Sequence, residues 1–475
     1  MDNFELEMGN YNKVTSITID YFKEILGEQA VKYHKAELEA FASDETEDLV
    51  YYPEVVLLPE NTSQISRIMR YCNDNKLPVT TRGAGTGLSG GALPVKGGVL
   101  LSTKKLNKLI EIDQRNLQAT VEPGIINYEL QEAVKQVGLF YPPDPASWGS
   151  CSLGGNVAHS SGGPKAVKYG TTRDYILNLE VVLANGDVIW TGANTLKYST
   201  GYNLTHLMVG SEGTLGVITK IVVKLIPFPK LDFLMLIPFK SAEKACEAVS
   251  AVFKAGITPS AMEFMERDAI EWSAKFCGEL SFEIKSEWEA LLLVEVDGDH
   301  LEQLMQDCEK ISQVVSDYES DEVLFADSSE QKAALWKIRR KVGEAVKSNS
   351  IYKEEDTVVP RAELPVLLKG VKQIGLKYGF KSVCYGHAGD GNLHVNIIKG
   401  EMSDEEWNDE LPNGIKEIFE LCKSLKGTIS GEHGIGLVQK NYMSIIFPDY
   451  HIELLKAIKK AFDPNLILNP EKIWA

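Results

Sequence analysis

The sequence predicts an α+β protein built from more than one domain. In the first half, short apolar strands alternate with helices and glycine-rich loops, and the strand segments 179–183 and 188–190 flank Asn185-Gly186, a pair that favours a two-residue hairpin turn. At Pro227-Phe228-Pro229 the pattern changes to strands separated by long helices, and two prolines in three residues favour extended chain there. The 475 residues, 44% of them hydrophobic, are sufficient for two or three domains with separate cores.

Hydrophobic spacing predicts the elements of the first half. Residues 14–48 have the pattern of a polar helical segment, and a helix after the first strand places Ile65, Ile68, Met69 and Cys72 on one face. Asn127 is the predicted cap of a further helix that ends before Gly138. Strands are predicted at 54–59, 77–81, 110–113 and 119–124.

The second half is predicted to alternate strands with long helices. Its strands are predicted at 233–238, 290–296 and 381–385, and its helices at 242–254, 301–315, 330–347 and 362–378. These patterns divide the chain into an N-terminal helical segment at 1–48, a first domain at 49–227, a second domain at 228–425 and a C-terminal segment at 426–475.

Charge and cysteine usage narrow the class of protein. The 49 basic and 67 acidic residues give a net charge of −18, which argues against nucleic-acid binding through a basic face. The seven cysteines are scattered, so we expect no iron–sulfur cluster of the ferredoxin spacing, and any electrons must leave through another carrier. Residues 1–5 lack the pattern of a signal peptide, and no apolar run is long enough to span a bilayer, so we expect a cytoplasmic protein without a transmembrane segment.

A glycine-rich segment follows the predicted strand at 77–81. Gly85, Gly87 and Gly90 match the dinucleotide-binding pattern Gly-x-Gly-x-x-Gly, but that motif requires a helix at the third glycine, and residues 92–98 (ALPVKGG) cannot continue as one. A Rossmann site is therefore excluded, whereas a glycine loop whose backbone N–H groups cradle phosphate is not. Further glycine clusters with Ser, Thr and Asn at 149–156, 160–163 and 210–216 favour one large polyphosphate ligand over four independent turns.

Near the carboxyl end, residues 387–396 (HAGDGNLHVN) and 431–434 (GEHG) bring three imidazoles and a carboxylate into glycine-rich surroundings. Strand alternation would direct His394 and Asn396 to one face, and the glycine turn would let His387 fold back toward them. Three protein ligands with an open position describe a catalytic metal site, and His387, His394 and Glu432 meet that description. Zinc is the expected metal, and Mn²⁺ and Fe²⁺ suit the same ligands. Hydrolysis would be as reasonable a function for this motif alone.

The chain resembles the vanillyl-alcohol oxidase superfamily across roughly 50–475. The resemblance rests on segments 82–91, 154–163 and 210–219, on residues 143–145 (PDP) and on the second-half motifs. Within this superfamily they resemble the FAD-linked D-2-hydroxyacid dehydrogenases, which include D-lactate dehydrogenase, the flavin subunit of glycolate oxidase and D-2-hydroxyglutarate dehydrogenase. The resemblance implies an FAD-binding domain of the PCMH type with two α+β subdomains, and an α+β cap domain with an antiparallel sheet. It also implies that the C-terminal segment returns to the FAD-binding domain.

The resemblance also implies which residues bind the cofactor. Some superfamily members attach the flavin covalently through a histidine in the first loop, but this loop has Thr86, so we expect non-covalent FAD. The implied FAD-binding residues are Arg82, Gly83, Ala84, Gly85, Thr86, Gly87, Leu88, Ser89, Gly90, Pro143, Asp144, Ser150, Gly154, Gly155, Asn156, Ser160, Gly162, Gly163, Tyr169, Gly170, Glu212, Gly213, Ile218 and Asn469.

The implied reaction is oxidation of a small D-2-hydroxy acid, D-lactate or glycolate, to the 2-oxo acid, with hydride transfer to flavin N5. His433 is the expected general base, and Arg339, Lys353 and Asn396 are the expected substrate ligands. Hydroxyglutarate is the alternative substrate, but the related enzyme has a threonine where this chain has Gly343. A flavin-dependent alkyl transferase and a non-catalytic subunit of an electron-transfer complex are two further candidate functions. The candidate electron acceptors are an electron-transfer flavoprotein, a quinone, an iron–sulfur subunit and oxygen. A homodimer is the candidate assembly.

Overall fold

The structure is a computed structural model that describes residues 10–278, 284–326 and 328–474. The chain divides into two compact units. The first contains the chain up to Ser161, then Thr171–Phe228 and the segment that begins at Glu432, and the second contains Gly162–Gly170 and Pro229–Gly431. A short piece of the predicted first domain, Gly162–Gly170, thus belongs to the second unit. The expectation about a signal peptide at residues 1–5 lies outside the described residues.

Strands and helices alternate along most of the described chain. In chain order the strands are β1 (Val31–Lys32), β2 (Val55–Leu57), β3 (Val79–Arg82), β4 (Val99–Ser102), β5 (Leu109–Asp113), β6 (Gln118–Val121), β7 (Leu139–Phe140), β8 (Ile176–Val182), β9 (Val188–Trp190), β10 (Val217–Lys224), β11 (Ile226–Pro227), β12 (Leu231–Phe239), β13 (Ala261–Glu266), β14 (Ala290–Gly298), β15 (Leu324–Phe325), β16 (Tyr352–Val358), β17 (Lys381–Gly386) and β18 (Asn392–Ile398). The α-helices are α1 (Ser16–Leu26), α2 (Lys35–Leu38), α3 (Thr62–Asp74), α4 (Asn127–Lys135), α5 (Leu153–His159), α6 (Ala166–Tyr169), α7 (Thr172–Tyr175), α8 (Leu204–Met208), α9 (Ala242–Lys254), α10 (Arg267–Cys277), α11 (Leu301–Ser316), α12 (Ser329–Arg340), α13 (Val342–Asn349), α14 (Leu364–Tyr378), α15 (Leu411–Ser424), α16 (Met443–Ile446) and α17 (Asp449–Phe462).

The first unit contains two larger sheets and a two-stranded sheet in which β7 pairs with β11. One has the order β1-β2-β4-β3, in which β2, β4 and β3 are parallel, and α3 is the crossover that this arrangement requires. The predicted inward face of α3, which contains Ile65, Ile68, Met69 and Cys72, is fully buried in the core beneath this sheet. The other sheet is antiparallel, with the order β5-β6-β10-β8-β9. These two α+β layers confirm the fold class expected for the first domain.

Local predictions in the first unit were confirmed in part. The hairpin at 179–190 is present, with Val182 opposite Val188 and Gly186 at φ +85° in its turn. No helix occurs between β3 and β4, all of which is described, in agreement with the exclusion of a Rossmann motif. Asn127 is not the cap of α4 but its first residue, because its buried side chain donates to the Pro143 carbonyl instead.

The segment predicted as helical at 14–48 contains a strand as well. Only α1 and the short α2 are α-helical there, and between them β1 pairs with β2, Val31 lying opposite Leu57. Pairing with the edge of a sheet satisfies backbone groups of Val31, and its side chain is buried in the core. Tertiary contact therefore overrides the helical pattern at this position.

The second unit is centred on a seven-stranded sheet with the order β15-β12-β14-β13-β17-β18-β16, in which every pairing is antiparallel. This confirms the expected antiparallel sheet of the cap domain. One face of the sheet packs against α10, α12 and α13 through a core that includes Leu291, Leu293 and Ile338. The helix predicted at 330–347 is two helices, because Lys341 leaves the helical conformation at φ −95° and ψ 5°.

Candidate functional site

The glycine loop after β3 lies against the start of α5 within the first unit. A Cβ at Gly83 would collide with the hydroxyl of Ser152, and that hydroxyl accepts a hydrogen bond from Ala84 N at 3.2 Å. Gly85, at φ +77°, passes so close to the Arg82 guanidinium that a side chain there would overlap it. These close approaches explain why the loop needs glycine at both positions.

Several buried polar atoms around this loop have no hydrogen-bond partner among the described residues. They are Thr81 Oγ1, Arg82 Nη1 and Asn469 Oδ1. Arg82 is only 8% exposed, and burial lowers the pKa of its guanidinium while the nearby Asp44 carboxylate opposes that change. Because buried polar groups are normally paired, these atoms fit a site that a polar, anionic ligand completes. The pyrophosphate and ribityl groups of FAD have that chemistry.

The C-terminal segment returns to the glycine loop, as the resemblance implied. Leu468 forms a parallel bridge with Val79, and Asn469 N donates to Val79 O at 2.7 Å. The side-chain amide of Asn469 donates to Gly91 O at 2.9 Å and to Glu212 O at 2.7 Å. Asn469 therefore connects two of the loops in which FAD-binding residues were predicted.

The turn that contains His433 is attached to two residues of those loops. Ser89 Oγ donates to His433 O at 2.9 Å, and Leu437 N donates back to Ser89 O at 2.7 Å. The Glu212 carboxylate accepts from Ile435 N at 2.8 Å and from Gly436 N at 2.7 Å. Ser89 and Glu212 were predicted as FAD-binding residues, and in the structure their side chains hold the turn that carries the predicted base.

Two residues that the sequence did not indicate also belong to this region. His159, at the end of α5, lies beside Gly434, whose Cβ would be 2.7 Å from His159 Nδ1, and this buried nitrogen has no hydrogen-bond partner among the described residues. Lys459 is buried and donates to Thr214 O and Leu468 O, both at 2.7 Å, and to Asp463 Oδ2 at 2.6 Å. No local pattern distinguishes Lys459 from a solvent-exposed lysine on an amphipathic helix.

The other predicted cofactor residues of the first unit are more dispersed. Pro143 O accepts from the Asn127 and Gln131 side chains, and Asp144 is buried. Asn156 Nδ2 donates to Asn127 Oδ1 at 3.2 Å, whereas Ser150 is exposed and bonds to Ser147 O. The remaining ones lie on turns, helix ends or strand β10, namely Gly154, Gly155, Ser160, Gly213 and Ile218.

Four predicted cofactor residues, Gly162, Gly163, Tyr169 and Gly170, lie in the short segment that belongs to the second unit. The Tyr169 hydroxyl donates to Asp297 Oδ1 at 2.9 Å, and Lys168 pairs with the same carboxylate at 2.5 Å. Lys165 forms an ion pair with Glu295. Charged contacts to strand β14 therefore attach this segment to the sheet of the second unit.

His387 belongs to a buried charged group of the second unit that is centred on Glu263. Its Nδ1 lies 2.9 Å from both oxygens of Glu263, and Glu263 Oε2 lies 2.7 Å from Arg339 Nη2. Glu263 is 0% exposed, and the other two are also buried. Since an ionised carboxylate can only accept, His387 Nδ1 carries the proton that lies between the two side chains.

His394 also lies beside carboxylates, but at longer distances than His387. The register of β16, β17 and β18 places Asp356 and Tyr385 opposite His394, so these side chains share one face of the sheet. His394 Nδ1 lies 3.3 Å from Glu354 Oε1 and 3.8 Å from Asp356 Oδ1, and its ring centroid is 5.4 Å from that of His387. Carboxylates beside Nδ1 are the usual outer partners of metal-binding histidines.

Asp356 also accepts hydrogen bonds from Ser430 and Gly431, the last two residues of the second unit. Its Oδ2 accepts from Ser430 Oγ at 3.0 Å and from Gly431 N at 2.8 Å, and its Oδ1 accepts from Asn392 Nδ2 at 2.7 Å. Gly431 directly precedes Glu432 in the chain. The Asp356 carboxylate therefore lies beside His394 and also holds Gly431, the residue before the predicted ligand Glu432.

The three predicted substrate residues have different surroundings. Asn396 is fully buried on the same sheet face as His394, as the strand alternation predicted. Arg339 pairs with Glu263, and its guanidinium lies 5.0 Å from the centre of the Tyr385 ring. Lys353 lies opposite Ile397 and so points to the other face, where its Nζ donates to Trp407 O at 3.2 Å. We therefore drop Lys353 from the candidate substrate ligands.

The fold and the glycine loops define a flavoprotein oxidoreductase. The family of FAD binding domains matches residues 53–192, and the family of C-terminal domains of FAD linked oxidases matches residues 229–473. The chain belongs to the FAD-linked oxidase family, and it is an FAD-dependent enzyme of that family.

Similar proteins support the same family. The chain is 40% identical to glycolate oxidase subunit GlcD of Bacillus subtilis strain 168 over 441 residues, which cover 92% of each chain. It is 36% identical to a D-lactate dehydrogenase of Anaerostipes hadrus over 471 residues, which cover 98% of each chain. Its fold is similar to that of p-cresol methylhydroxylase with bound substrate, with a TM-score of 0.78, 19% identity and 95% of each chain covered.

The structure also bears on membrane association and on the cysteines. Among the described residues, no helix has both the length and the apolar character needed to cross a bilayer.

All seven cysteines are free thiols, and all except Cys277 are buried. Burial raises the pKa of the Cys384 thiol to about 12, which makes it a poor nucleophile or metal ligand near neutral pH.

Proposed function

We propose that this protein oxidises a small D-2-hydroxy acid, D-lactate or glycolate, to the corresponding 2-oxo acid and passes the electrons to an external acceptor. The observation that carries the proposal is the buried pair His387 and His394, each of which has a carboxylate beside Nδ1: Glu263 at 2.9 Å from His387 and Glu354 at 3.3 Å from His394. A flavoprotein fold alone does not require such a pair. Because the chain also has an FAD-binding domain, a metal ion held by this pair is better suited to aligning a substrate for oxidation than to activating water for hydrolysis.

The donor set suits a divalent cation, which His387, His394 and Glu432 would hold. Two imidazole nitrogens and one carboxylate leave an open position, as catalytic sites do, and Zn²⁺, Mn²⁺ and Fe²⁺ all accept these ligands. Such a cation would supply positive charge that lowers the pKa of an adjacent hydroxyl. Glu263, Glu354 and Asp356 would set the tautomers of the two histidines and offset the charge of the cation.

His433 is the proposed general base. Its ring would accept the proton of the substrate hydroxyl, while its main chain is held by Ser89 and, through Ile435 and Gly436, by Glu212. Bound FAD supplies the two-electron oxidant that takes the hydride of the α-carbon. Loss of one proton and one hydride converts the hydroxy acid into the oxo acid, so the reaction balances without another co-reactant. Asn396 remains a proposed contact for a substrate oxygen.

Arg339 has a different proposed role from the one implied by the resemblance. Its Nη2 is engaged by Glu263, so its charge is largely compensated inside the unit. We propose that Arg339 orients Glu263 and His387, and that its remaining donors contribute to binding the substrate carboxylate.

The surroundings of Gly343 favour a small substrate. A Cβ on residue 343 would lie 3.2 Å from the Tyr385 hydroxyl, which is tighter than ordinary van der Waals contact. A threonine, which the hydroxyglutarate enzyme has at this place, would therefore require Tyr385 to move. Since burial also raises the pKa of Tyr385 well above its usual range, the Tyr385 side chain is a neutral hydroxyl against Gly343. This arrangement supports lactate or glycolate over hydroxyglutarate.

Anaerobic flavin reduction tests the proposed function directly. FAD-loaded, Zn²⁺-replete protein is mixed with D-lactate, glycolate, D-2-hydroxyglutarate or L-lactate, and the loss of oxidised-flavin absorbance is followed. We expect rapid bleaching by D-lactate or glycolate, little by L-lactate, and a strong decrease after chelation. If none of the acids reduces the flavin, the proposed reaction is wrong. If hydroxyglutarate is the best substrate, the argument from Gly343 is wrong, and if chelation has no effect, the metal assignment is wrong.

A further inference from the structure

Lys472 is a buried lysine near the C-terminus that has no role in the function described above. It is 1% exposed, and its ammonium group lies among the backbone carbonyls of the glycine loop. Nζ donates to Gly90 O and Leu93 O, both at 2.7 Å, and approaches Gly91 O at 3.4 Å. Three carbonyls thus face the three N–H bonds of one ammonium group, all within the first unit.

These contacts determine the direction of the neighbouring amides. In a trans peptide the C=O and N–H bonds point to opposite sides, and the described chain contains no cis peptide bond. Since the carbonyls of Gly90 and Gly91 are directed at Lys472, the N–H groups of Gly91 and Ala92 are directed away from it. Thr46 Oγ1 accepts from Gly90 N at 2.6 Å and holds the preceding part of the loop.

We propose that Lys472 is a positioning residue for the cofactor: its ammonium group holds the carbonyls of Gly90, Gly91 and Leu93 so that the loop presents its amides to the phosphates of FAD. This inference rests on the proposed role of the loop in FAD binding, and it does not depend on which acid the enzyme oxidises. A neutral lysine amine cannot donate three hydrogen bonds, so the charged form favours the binding conformation of the loop.

The groups around Lys472 make its charge sensitive to the cofactor. Burial lowers the pKa of Lys472 to about 7, Asp44, Glu212 and Glu471 oppose this change, and Lys440 adds to it. An anionic pyrophosphate near the loop stabilises the protonated form, so FAD binding raises the pKa. We therefore expect protein without FAD to lose this proton at a lower pH than protein with FAD.

The direction of the pH effect follows from this difference. Well below pH 7 both states carry the proton and FAD affinity is constant. Above pH 7, and up to the pKa of the FAD-bound form, binding must take up a proton, so affinity decreases by up to about tenfold per pH unit. Above the pKa of the free protein, binding should take up a proton, and at most one per FAD.

Titration calorimetry of apoprotein with FAD measures both effects. The enthalpy is measured at pH 8 in buffers of different ionisation enthalpy, which gives the number of protons taken up. The affinity is measured from pH 6 to pH 9. We expect wild type to take up protons at pH 8, at most one per FAD. Two variants remove the titration in different ways: Lys472→Arg remains charged over this range, and Lys472→Met is always neutral.

Both variants are expected to lose the proton uptake. Lys472→Met should bind FAD at least tenfold more weakly than wild type at pH 6, and Lys472→Arg should recover part of that affinity. Lys96→Met is the matched control, because Lys96 pairs with the neighbouring Glu471 at 2.5 Å but does not contact the loop carbonyls. It should keep the FAD affinity of wild type at pH 6, where Lys472 is charged in either protein.

The outcomes are distinguishable. Wild type without proton uptake at pH 8, or a Lys472 variant that retains it, overturns the proposal, and the wild-type measurement remains decisive if one variant does not fold. A normal FAD affinity of Lys472→Met at pH 6 also overturns it. None of these results depends on the hydroxy acid, so failure of the flavin-reduction assay would reject the proposed function and leave this inference standing.

Discussion

Replacing Glu263 with glutamine tests the buried charged group around His387. Glu263 is fully buried and contacts two partners, Arg339 Nη2 at 2.7 Å and His387 Nδ1 at 2.9 Å. Glutamine has nearly the same shape but no charge, so the substitution leaves the buried guanidinium without its counter-ion. Removing one member of a buried ion pair costs about 3–5 kcal/mol of the free energy of unfolding.

The same substitution should weaken metal binding. Glutamine has one acceptor oxygen for two donors, so it cannot hold both Arg339 and His387 Nδ1 as the carboxylate does. Loss of an outer partner of a metal-binding histidine typically lowers metal affinity by about 10- to 100-fold, or about 1.4–2.7 kcal/mol. The double variant Glu263→Gln/Arg339→Met removes both charges, and it should be destabilised by less than the sum of the single variants.

Urea unfolding and a competition titration with a coloured zinc chelator measure the two effects. Glu266→Gln is the matched control, because Glu266 lies on the same strand, is also buried and pairs with Lys372 at 2.7 Å, but contacts no metal-binding histidine. It should lower stability and leave zinc affinity unchanged. The reasoning is refuted if Glu263→Gln binds zinc as wild type does, or if both variants lose zinc affinity equally. A wild type that binds no divalent metal would refute the metal site itself.

Three further predictions concern the base, the glycine loop and the substrate. His433→Ala should bind FAD normally but lower the rate of flavin reduction in stopped-flow measurements by about 10²- to 10⁴-fold, or about 3–5 kcal/mol, and near-normal reduction would remove His433 from the mechanism. Gly83→Ala should weaken FAD binding in fluorescence titrations, and adding Ser152→Ala should recover part of the loss because it removes the hydroxyl that the new Cβ meets; equal affinities of the single and double variants would contradict this. Gly343→Thr should cost about 1–3 kcal/mol in urea unfolding and should slow reduction by D-lactate, since the new side chain displaces Tyr385; unchanged stability and rate would show that Tyr385 has room to move.

Local structure was predicted well where short-range patterns decide it. Helix α9 runs from Ala242 to Lys254, the range predicted from its sequence, and the hairpin around Asn185-Gly186 is present. The same holds for the rejection of a Rossmann helix after the glycine loop, because Pro94 and two further glycines make a helix there unfavourable in any context. Each of these features depends on residues within a few positions of one another.

The surroundings of the predicted site residues were harder to foresee. The face of the sheet to which Lys353 points depends on the pairing of β16 with β18, and a shift of one residue would reverse it. Glu263 is separated from His387 by 124 positions, so nothing near either residue indicates their contact. Lys459 and Lys472 resemble surface lysines in the sequence, because burial of a charge is decided by carbonyls contributed from distant segments.

By itself, the sequence determined the α+β class, several of the longer helices and strands, the glycine loops and the short motif that contains His387 and His394. These follow from backbone preferences and from hydrophobic periodicity, which act over a few residues. Only the tertiary structure decided which charges are buried and what compensates them: Glu263 between His387 and Arg339, Asp356 beside His394, and Lys472 beneath the glycine loop. The physical reason is that removing a charge from water is costly unless a partner is close, and only folding brings these partners together.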